Sequence, residues 1–281
     1  MAAPTVLSVV LVFATALALL IKAWPILATK SLGHLLVSSS WHPLRGEFGF
    51  YPFIIGTLWV TGLAMAISVP ICLLTAVYLA EYAGRRMRAV AKPLVDLLAG
   101  IPPVVYGLWG VLAVVPVVGE IGSRMGAGAT GYTVLAGGIV LAIMVFPIVI
   151  SVTDEVLRSV PIEAREASLA LGATKWQTVK RVVIPSVMSG VAAAIVLGFS
   201  RAFGETMAVL MVVGNVAKPP HSVFDPAYPL PALIANNYGE MMSIRLYDSA
   251  IMLAALILLV VVLVFNVLAA LVLRRVERGM A

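Results

Sequence analysis

Charged side chains are scarce in this sequence. Asp, Glu, Lys and Arg make up only 11% of its 281 residues, whereas 62% of the residues are hydrophobic and the mean hydropathy is +1.07. A soluble domain of this length cannot bury that much apolar side chain. The composition therefore excludes a soluble globular protein and predicts an integral membrane protein.

Cysteine, histidine and nucleotide-binding glycine motifs are equally sparse. The single cysteine, Cys72, lies in an apolar run, which excludes an intrachain disulfide and a two-cysteine redox motif. The three histidines are widely separated and predict no metal site. No G-x-x-x-x-G-K-[ST] run occurs, so the sequence has no P-loop for ATP. We therefore expect no cofactor, no metal and no catalytic residue in this chain.

Long apolar segments account for most of the sequence. A hydrocarbon core of ~30 Å requires about 20 residues of helix. Six segments reach that length: 5–24, 52–80, 97–118, 132–152, 186–213 and 249–273. The first lacks preceding basic residues and is followed by Trp24-Pro25 instead of a small-residue cleavage site, so we interpret it as a retained span. The segments predict one all-α membrane domain of six spans over residues 1–281.

Basic residues are divided unequally between the two sets of loops. One set contains twelve Lys and Arg residues, the other contains six, and Arg201 lies within a span. The twelve are Arg85, Arg86, Arg88, Lys92, Arg158, Arg165, Lys175, Lys180, Arg181, Arg274, Arg275 and Arg278. Because cytoplasmic loops carry the excess of positive charge, both termini and the loop 154–185 are predicted to be cytoplasmic. The net charge of +6 thus reflects topology, and no basic-aromatic cluster predicts a nucleic-acid partner.

The cytoplasmic stretch 154–185 contains helix signals between two apolar spans. Pro161 suits the first position of a helix, which predicts a helix over 162–171. Gly172 can supply the left-handed residue that ends this helix. Thr174-Lys175-Trp176-Gln177 has the spacing of a capping box, so a second helix should begin at once. We expect a helix, a sharp bend and a second helix at the membrane face.

The same stretch resembles the cytoplasmic "EAA" loop of ABC importer permeases, whose pattern is Glu-Ala-Ala-x3-Gly-x9-Ile-x-Leu-Pro. Glu166-Ala167-Ser168, Gly172 and Val182-Val183-Ile184-Pro185 occupy the matching positions, with three mild replacements. In that family the loop is a coupling helix that docks into a groove on the ATPase subunit. The resemblance implies ATPase contacts by Glu163, Glu166, Ala167, Ala170, Gly172, Ala173 and Trp176. The alternative is an amphipathic linker that lies on the membrane surface.

Three further runs resemble the phosphate branch of this permease family. They are Trp41-His42-Pro43 with Phe48-Gly49-Phe50-Tyr51-Pro52, Ile55-Gly56-Thr57-Leu58, and Leu97-Leu98-Ala99-Gly100-Ile101-Pro102. Pro103 stands where that branch more often has Ser. The resemblance covers nearly the whole chain from Trp41 onward and implies the six-span fold of type I ABC importer permeases in the bacterial inner membrane.

The partners follow from the same resemblance. It implies import of inorganic phosphate through a pore made with a second, related permease subunit and surrounded by membrane lipid. Two ATP-binding cassette subunits would supply the ATP hydrolysis and bind at residues 163–181. An extracytoplasmic phosphate-binding protein would dock on the outer loops, chiefly 22–51 and 214–248.

The third span opens on residues that weaken a helix, namely Gly100, Pro102, Pro103 and Gly107. They predict a break or a kink, because proline lacks an N–H and clashes with the preceding turn. Carbonyls freed there need partners in the protein or in a water-filled cavity. An ordinary proline kink and a role in the transport path stay open as interpretations.

The fifth span contains two ionisable residues, Arg201 and Glu205, which a continuous helix would place on one face, one turn apart. A charge deep in a bilayer costs at least ~3 kcal/mol and usually faces the bundle interior. The arginine fork suits a tetrahedral oxyanion. The segment 201–209 resembles the same span of the phosphate branch, in which the matching arginine and glutamate are implicated in transport. We predict a substrate pathway at Arg201, Glu205 and Thr206; the alternative is an ion pair that joins this helix to a neighbour.

Three rival functions remain at this stage. One is a permease for another oxyanion, such as sulfate or molybdate, although the motifs near Gly100 and Glu205 favour phosphate. Another is a channel or secondary carrier, in which Arg201 and Glu205 form a gate or proton relay; dependence on ATP distinguishes it. The third is a membrane enzyme, for which the spans lack a convergent set of His, Ser or carboxylate side chains.

Overall fold

The computed structural model describes residues 2–126, 128, 130–240, 244 and 246–280, and it is mostly helical. The first half contains α1 (Ala2–Thr29), α2 (Leu32–Val37), α3 (Tyr51–Val77), α4 (Arg85–Gly100), α5 (Pro103–Trp109), α6 (Val115–Arg124) and α7 (Val134–Arg158). The second half contains α8 (Ile162–Ala170), α9 (Lys175–Thr178), α10 (Ile184–Ser186), α11 (Met188–Gly204), α12 (Met207–Val212), α13 (Leu230–Asn237) and α14 (Tyr247–Met280). Single π-helical turns continue α3, α5 and α9 at Tyr78–Tyr82, Gly110–Val114 and Val179–Val183.

Within the described residues, five helical stretches are long and apolar enough to cross a membrane. They are Val9–Thr29, Tyr51–Tyr82, Pro103–Arg124, Val134–Arg158 and Tyr247–Leu271. A sixth span results only if Lys175–Ser186 and Met188–Gly204, which meet at a 73° bend, are counted as one. The all-α membrane fold is therefore confirmed, whereas the extent of a single domain over 1–281 stays a prediction. Arg245, one of the six basic residues assigned to the outer loops, lies outside the described residues.

Several predicted boundaries are wrong. The first helix continues through Pro25 to Thr29, because a proline inside a membrane helix is tolerated when neighbouring groups satisfy the freed backbone. The fourth span, which is α7, continues past residue 152 to Arg158. The Arg158 guanidinium pairs with Asp154 one turn earlier at 2.9 Å. Asp154 thus ends a span and does not begin a loop.

The third span also begins later than predicted. Residues 97–100 are the last turn of α4, an amphipathic helix, and the chain breaks at Ile101-Pro102 before α5 starts. The Tyr106 hydroxyl donates to the Leu98 carbonyl at 2.8 Å and so bridges this break. The expected interruption is confirmed, but the span itself runs from Pro103 to Arg124.

The core is built around α7, whose most apolar 18-residue stretch is 67% buried. Helices α3, α11 and α12 pack against it, and glycine allows close approach between α11 and α7 and between α5 and α12. A Cβ on Gly198 of α11 would lie 2.7 Å from a methyl of Val149 on α7. A Cβ on Gly107 of α5 would lie 3.1 Å from the Cα of Ala208 on α12. Small residues at such contacts are typical of helix packing in membranes.

An aromatic cluster closes the end of the bundle that is predicted to be outside. Two short strands, β1 (Trp41–His42) and β2 (Glu47–Phe48), form a hairpin in which Trp41 pairs with Phe48. The Trp41 ring lies 5.6 Å from that of Phe48 and 4.9 Å from that of Phe53 on α3. The hairpin is therefore fixed to the top of the second span.

The predicted outer loop 214–248 is not simply a loop. It contains α13, in which Leu230 and Leu233 are fully buried. The Thr57 hydroxyl accepts from the Leu230 N–H at 2.9 Å and donates to the Phe53 carbonyl at 2.7 Å, which joins α13 to α3. Because the first half of α13 is part of the core, a docking partner can reach only its C-terminal half and the flanking residues of this segment.

Candidate functional site

The cytoplasmic loop has the predicted form of two helices joined by a sharp bend. The sequence predicts Pro161 at the first helical position of α8. It has an extended ψ of 143° and is instead the N-cap, one position before the first helical residue. Helix α8 ends at Ala170. Gly172 follows with φ +85°, which confirms the left-handed residue.

The bend at Gly172 is a complete Schellman motif. The Ala173 N–H donates to the Ser168 carbonyl at 3.2 Å, and the Gly172 N–H donates to the Leu169 carbonyl at 2.9 Å. These bonds satisfy carbonyls that the helix end leaves without a partner. A Cβ at Gly172 would have nothing within 4 Å, so glycine is needed for its backbone conformation and not for space.

The second helix of the loop begins with the predicted capping box. The Thr174 hydroxyl accepts from the Gln177 N–H at 3.3 Å, and the Gln177 side chain accepts from the Thr174 N–H at 2.8 Å. A hydroxyl contact of 3.0 Å between Ser168 and Thr178 then holds α8 against α9. The loop is therefore a defined structure and not a flexible linker.

The residues expected to contact an ATPase lie on the open surface of this loop. Glu163, Glu166, Ala167, Ala170, Gly172 and Trp176 are exposed, and Ala173 is half-buried. Large apolar side chains are exposed beside them, including Leu171 at 89% and Trp176 at 52%. An exposed apolar surface bordered by carboxylates is typical of a protein interface.

The opposite face of α8 contains an ion pair that the sequence reasoning missed. Arg165 donates from Nε and Nη2 to Oε1 of Glu81, at 3.1 and 2.8 Å. The two side chains are 19% and 8% exposed. The sequence carries no local signal for this pair, because its two residues lie 84 positions apart.

The fifth span differs from the prediction. Helix α11 ends at Gly204, Glu205 has an extended backbone, and α12 begins at Met207. The prediction that Arg201 and Glu205 lie one turn apart on a continuous helix is therefore wrong. The chain also bends by 73° between Lys175–Ser186 and Met188–Gly204, so the fifth span is not a straight continuation of the loop helix. Arg201 lies ~20 Å along α11 from its start at Met188.

The physical reason for the break is the carboxylate of Glu205. Its Oε1 accepts from the Thr206 N–H at 3.1 Å and from the Ala208 N–H at 3.4 Å. A helix N-terminus favours a negative charge that accepts from its unpaired N–H groups. Glu205 therefore stabilises the start of α12 and does not extend α11.

Arg201 and Glu205 are consequently not paired. Among the described residues, the ion pairs within 4 Å are Arg124–Glu120, Arg158–Asp154 and Arg165–Glu81. Arg201 is exposed on the surface of this chain, whereas Glu205 and Thr206 are half-buried.

Glu205 borders a very small cavity. The cavity measures about 10 Å³ and is also lined by Thr57 and Thr61 of α3. That volume is about the minimum for one water molecule. An anion the size of phosphate cannot occupy it.

Comparison with known proteins gives the family. A family model described as "Binding-protein-dependent transport system inner membrane component" matches residues 68–280. The chain belongs to this family. The permease component is 37% identical over 235 residues to the "Probable ABC transporter permease protein YqgH" of Bacillus subtilis strain 168, covering 83% of this chain and 75% of the relative.

Other relatives have a more specific name. A "Phosphate transport system permease protein PstC" of Xylella fastidiosa strain 9a5c is 36% identical over 256 residues, covering 86% of this permease component and 78% of the relative. The protein of the same name from Mesorhizobium japonicum is 32% identical over 290 residues, covering 98% and 88%. The relatives are ABC transporter permease proteins, in agreement with the absence of a P-loop from this sequence.

Solved structures agree on the fold. The inward-facing MetNI methionine ABC transporter gives a TM-score of 0.58 at 20% identity, covering 79% of this chain and 93% of that one. A bacterial ABC transporter that imports alginate gives 0.57 at 19% identity, covering 80% and 79%. The permease component therefore has the fold of type I ABC importer permeases.

The bend of the cytoplasmic loop can be tested without transport. Gly172→Ala places a Cβ in a left-handed conformation, at a cost of roughly 1–2 kcal/mol. We expect the loop to open about 5–30 times more often, so that trypsin cleaves after the exposed Lys175 faster by a similar factor. Gly100→Ala is the matched control, because a Cβ there also has open space but needs no positive φ. Equal cleavage rates in the two variants would contradict the assigned bend.

Proposed function

We propose that this chain is a permease subunit of an ABC importer that carries inorganic phosphate into the cytoplasm. The relatives named as phosphate transport permeases align with 86–98% of the chain, which supports this substrate. The observation that carries the proposal is the exposed Arg201, which forms no ion pair with the side chains that the structure describes because Glu205 caps α12 instead.

Arg201 has the chemistry that a phosphate path requires. A guanidinium donates two parallel hydrogen bonds to a tetrahedral oxyanion and stays charged at any physiological pH. Glu205 is directed to the backbone of α12 and so does not compete for the fork. Thr206, at the start of α12, supplies a hydroxyl beside the same path. Sulfate and molybdate are also oxyanions, so the fork alone does not separate them from phosphate.

The exposure of Arg201 supports a pore shared with a second permease subunit. An arginine in mid-bilayer does not face lipid without a large cost. Exposed side chains of α5, such as Val104, Val105 and Leu108, are apolar and suit a protein neighbour. The substrate path would then run between two related permeases.

The cytoplasmic loop supports docking of an ATPase. Helix α8 presents Glu163 and Glu166 beside exposed apolar side chains, and its bend is held by defined hydrogen bonds. A linker that only lay on the membrane would not need this rigidity. Two ATP-binding cassette subunits, one for each permease, would supply the hydrolysis. A phosphate-binding protein would dock on the opposite end, where Leu44 at the hairpin tip is 87% exposed.

Arg201 variants test the substrate path. Arg201→Gln removes charge-assisted hydrogen bonds worth about 1.5–3 kcal/mol, so phosphate uptake should fall by about 10- to 100-fold. Arg201→Lys keeps the charge without the fork, and its uptake should be intermediate. Radiolabelled phosphate uptake into cells, at equal amounts of membrane-inserted protein, gives the comparison. Excess sulfate or molybdate should not compete.

The matched control is Arg124→Gln, because Arg124 belongs to an exposed surface pair with Glu120 that should contribute little. If Arg201 and Glu205 instead served only as a structural ion pair, a different result is expected. In that case the double variant Arg201→Gln, Glu205→Gln would regain uptake, and such recovery would refute the substrate role. Uptake that persists in the absence of ATP would instead favour a channel or secondary carrier.

We propose further that both termini and the loop containing α8 are cytoplasmic, as the distribution of basic residues indicates. Ser222 and Ser159 are both exposed and lie in loops assigned to opposite sides. A cysteine in place of Ser222 should react with an impermeant thiol reagent in spheroplasts, whose inner membrane is intact. A cysteine in place of Ser159 should react only after permeabilisation. The native Cys72 is buried and adds little background. The reverse pattern would overturn the orientation.

A further inference from the structure

The inner end of α3 is held by cationic side chains from three other elements. Arg88 of α4 donates from Nε to the Leu79 carbonyl at 2.7 Å, and from Nη2 to the Ala80 carbonyl. Lys175 of α9 lies over the Tyr82 ring, with Nζ 4.7 Å from its centroid. Arg165 of α8 binds the Glu81 carboxylate through two donors. All these contacts fall on the π-helical turn Tyr78–Tyr82, a deviation from α-helix that is common at functional positions.

Arg165 connects more than α8 and α3. Its Nη2 also donates to the Leu157 carbonyl at 2.8 Å, and its Nη1 donates to the Val160 carbonyl. These carbonyls belong to the C-terminal end of α7, where a helix leaves acceptors unpaired and favours a cation. One guanidinium therefore joins the coupling helix to the inner ends of the second and fourth spans.

The burial of this pair makes it sensitive to change. At 8% exposure, the Glu81 side chain has little access to water. Removal of one partner from a buried ion pair leaves an uncompensated charge, which is far more disruptive than loss of a surface pair. Lysine cannot replace Arg165 fully, because one ammonium cannot bridge a carboxylate and two carbonyls in the same planar arrangement.

The two faces of α8 then have separate roles. Glu163, Glu166 and Ala170 are exposed, whereas Arg165 and Ser168 are engaged with the rest of the chain. A force applied to the outer face passes to the spans through the contacts of the inner face. Chains of packed and hydrogen-bonded groups of this kind can carry energetic coupling between distant sites.

We propose that Arg165 and Glu81 form a positioning pair that transmits movement of α8 to α3 and α7, and so couples ATP hydrolysis to phosphate import. This inference rests on the proposed docking of an ATPase at α8. Neither side chain lies on the exposed face of α8, so neither is needed for the docking itself. Loss of the pair should therefore separate hydrolysis from transport.

The experiment uses the complete transporter, reconstituted in lipid vesicles with its ATPase and binding-protein partners. The variants are Glu81→Gln, Arg165→Lys, Arg165→Gln and the double variant Glu81→Gln, Arg165→Gln. The control is Arg158→Gln, which breaks the neighbouring, more exposed pair with Asp154. Three quantities are measured: ATPase co-purified per permease, ATP hydrolysed, and radiolabelled phosphate imported per ATP.

We expect the three single variants to retain the ATPase and to hydrolyse ATP. Phosphate imported per ATP should fall at least about tenfold in Glu81→Gln and in Arg165→Gln, and less in Arg165→Lys. The double variant should fall no further than the more defective single one, because the two residues act as one unit. Arg158→Gln should match the unchanged chain.

Three results would overturn this inference and leave the proposed function intact. The first two are an unchanged import per ATP in Glu81→Gln and losses that multiply in the double variant. A smaller amount of complex with a normal import per ATP would also overturn it, because the pair would then serve stability only. Failure of the unchanged chain to import phosphate with ATP would overturn the proposed function itself, and this inference with it.

Discussion

Backbone groups that leave a helix inside a bilayer must find partners within the protein, and this constraint governs every interruption in the bundle. The break before α5 is bridged by the Tyr106 hydroxyl at the Leu98 carbonyl. At the start of α13, the Leu230 N–H donates to the Thr57 hydroxyl. The start of α12 receives the Glu205 carboxylate at two N–H groups. Irregular backbone is thus possible at these three breaks because a polar side chain is supplied at each site.

The break before α12 also determines the electrostatic surroundings of Arg201. If α11 continued, Glu205 would lie beside Arg201 and neutralise it. Because the carboxylate instead serves the N-terminus of α12, it does not pair with Arg201, which is exposed on the surface of this chain. One residue therefore has two consequences: it permits the break in the span, and it removes the counterion from Arg201. At the inner end the opposite arrangement holds, since Arg165 is fully occupied by a carboxylate and carbonyls.

Features formed by near neighbours in the sequence could be predicted, and features formed by distant residues could not. The bend at Gly172 and the capping box of Thr174 depend on residues at most five positions apart, so their spacing alone predicts them. The Glu81–Arg165 pair joins residues 84 positions apart and has no local signal. The end of α11 was missed for another reason, because Glu205 suits a helix interior as well as a cap. The burial of α13 likewise depends on Thr57, far away on α3.

We propose that the break after Gly204 leaves Arg201 free to bind phosphate in transit. It is tested most directly by a cryo-electron microscopy structure of the assembled transporter, trapped with phosphate between its gates. The account predicts phosphate density about 2.7–2.9 Å from the guanidinium nitrogens of Arg201, with the Glu205 carboxylate still bound to the N–H groups of Thr206 and Ala208. A continuous helix through Glu205, with its carboxylate paired to Arg201 and phosphate bound elsewhere, would contradict it.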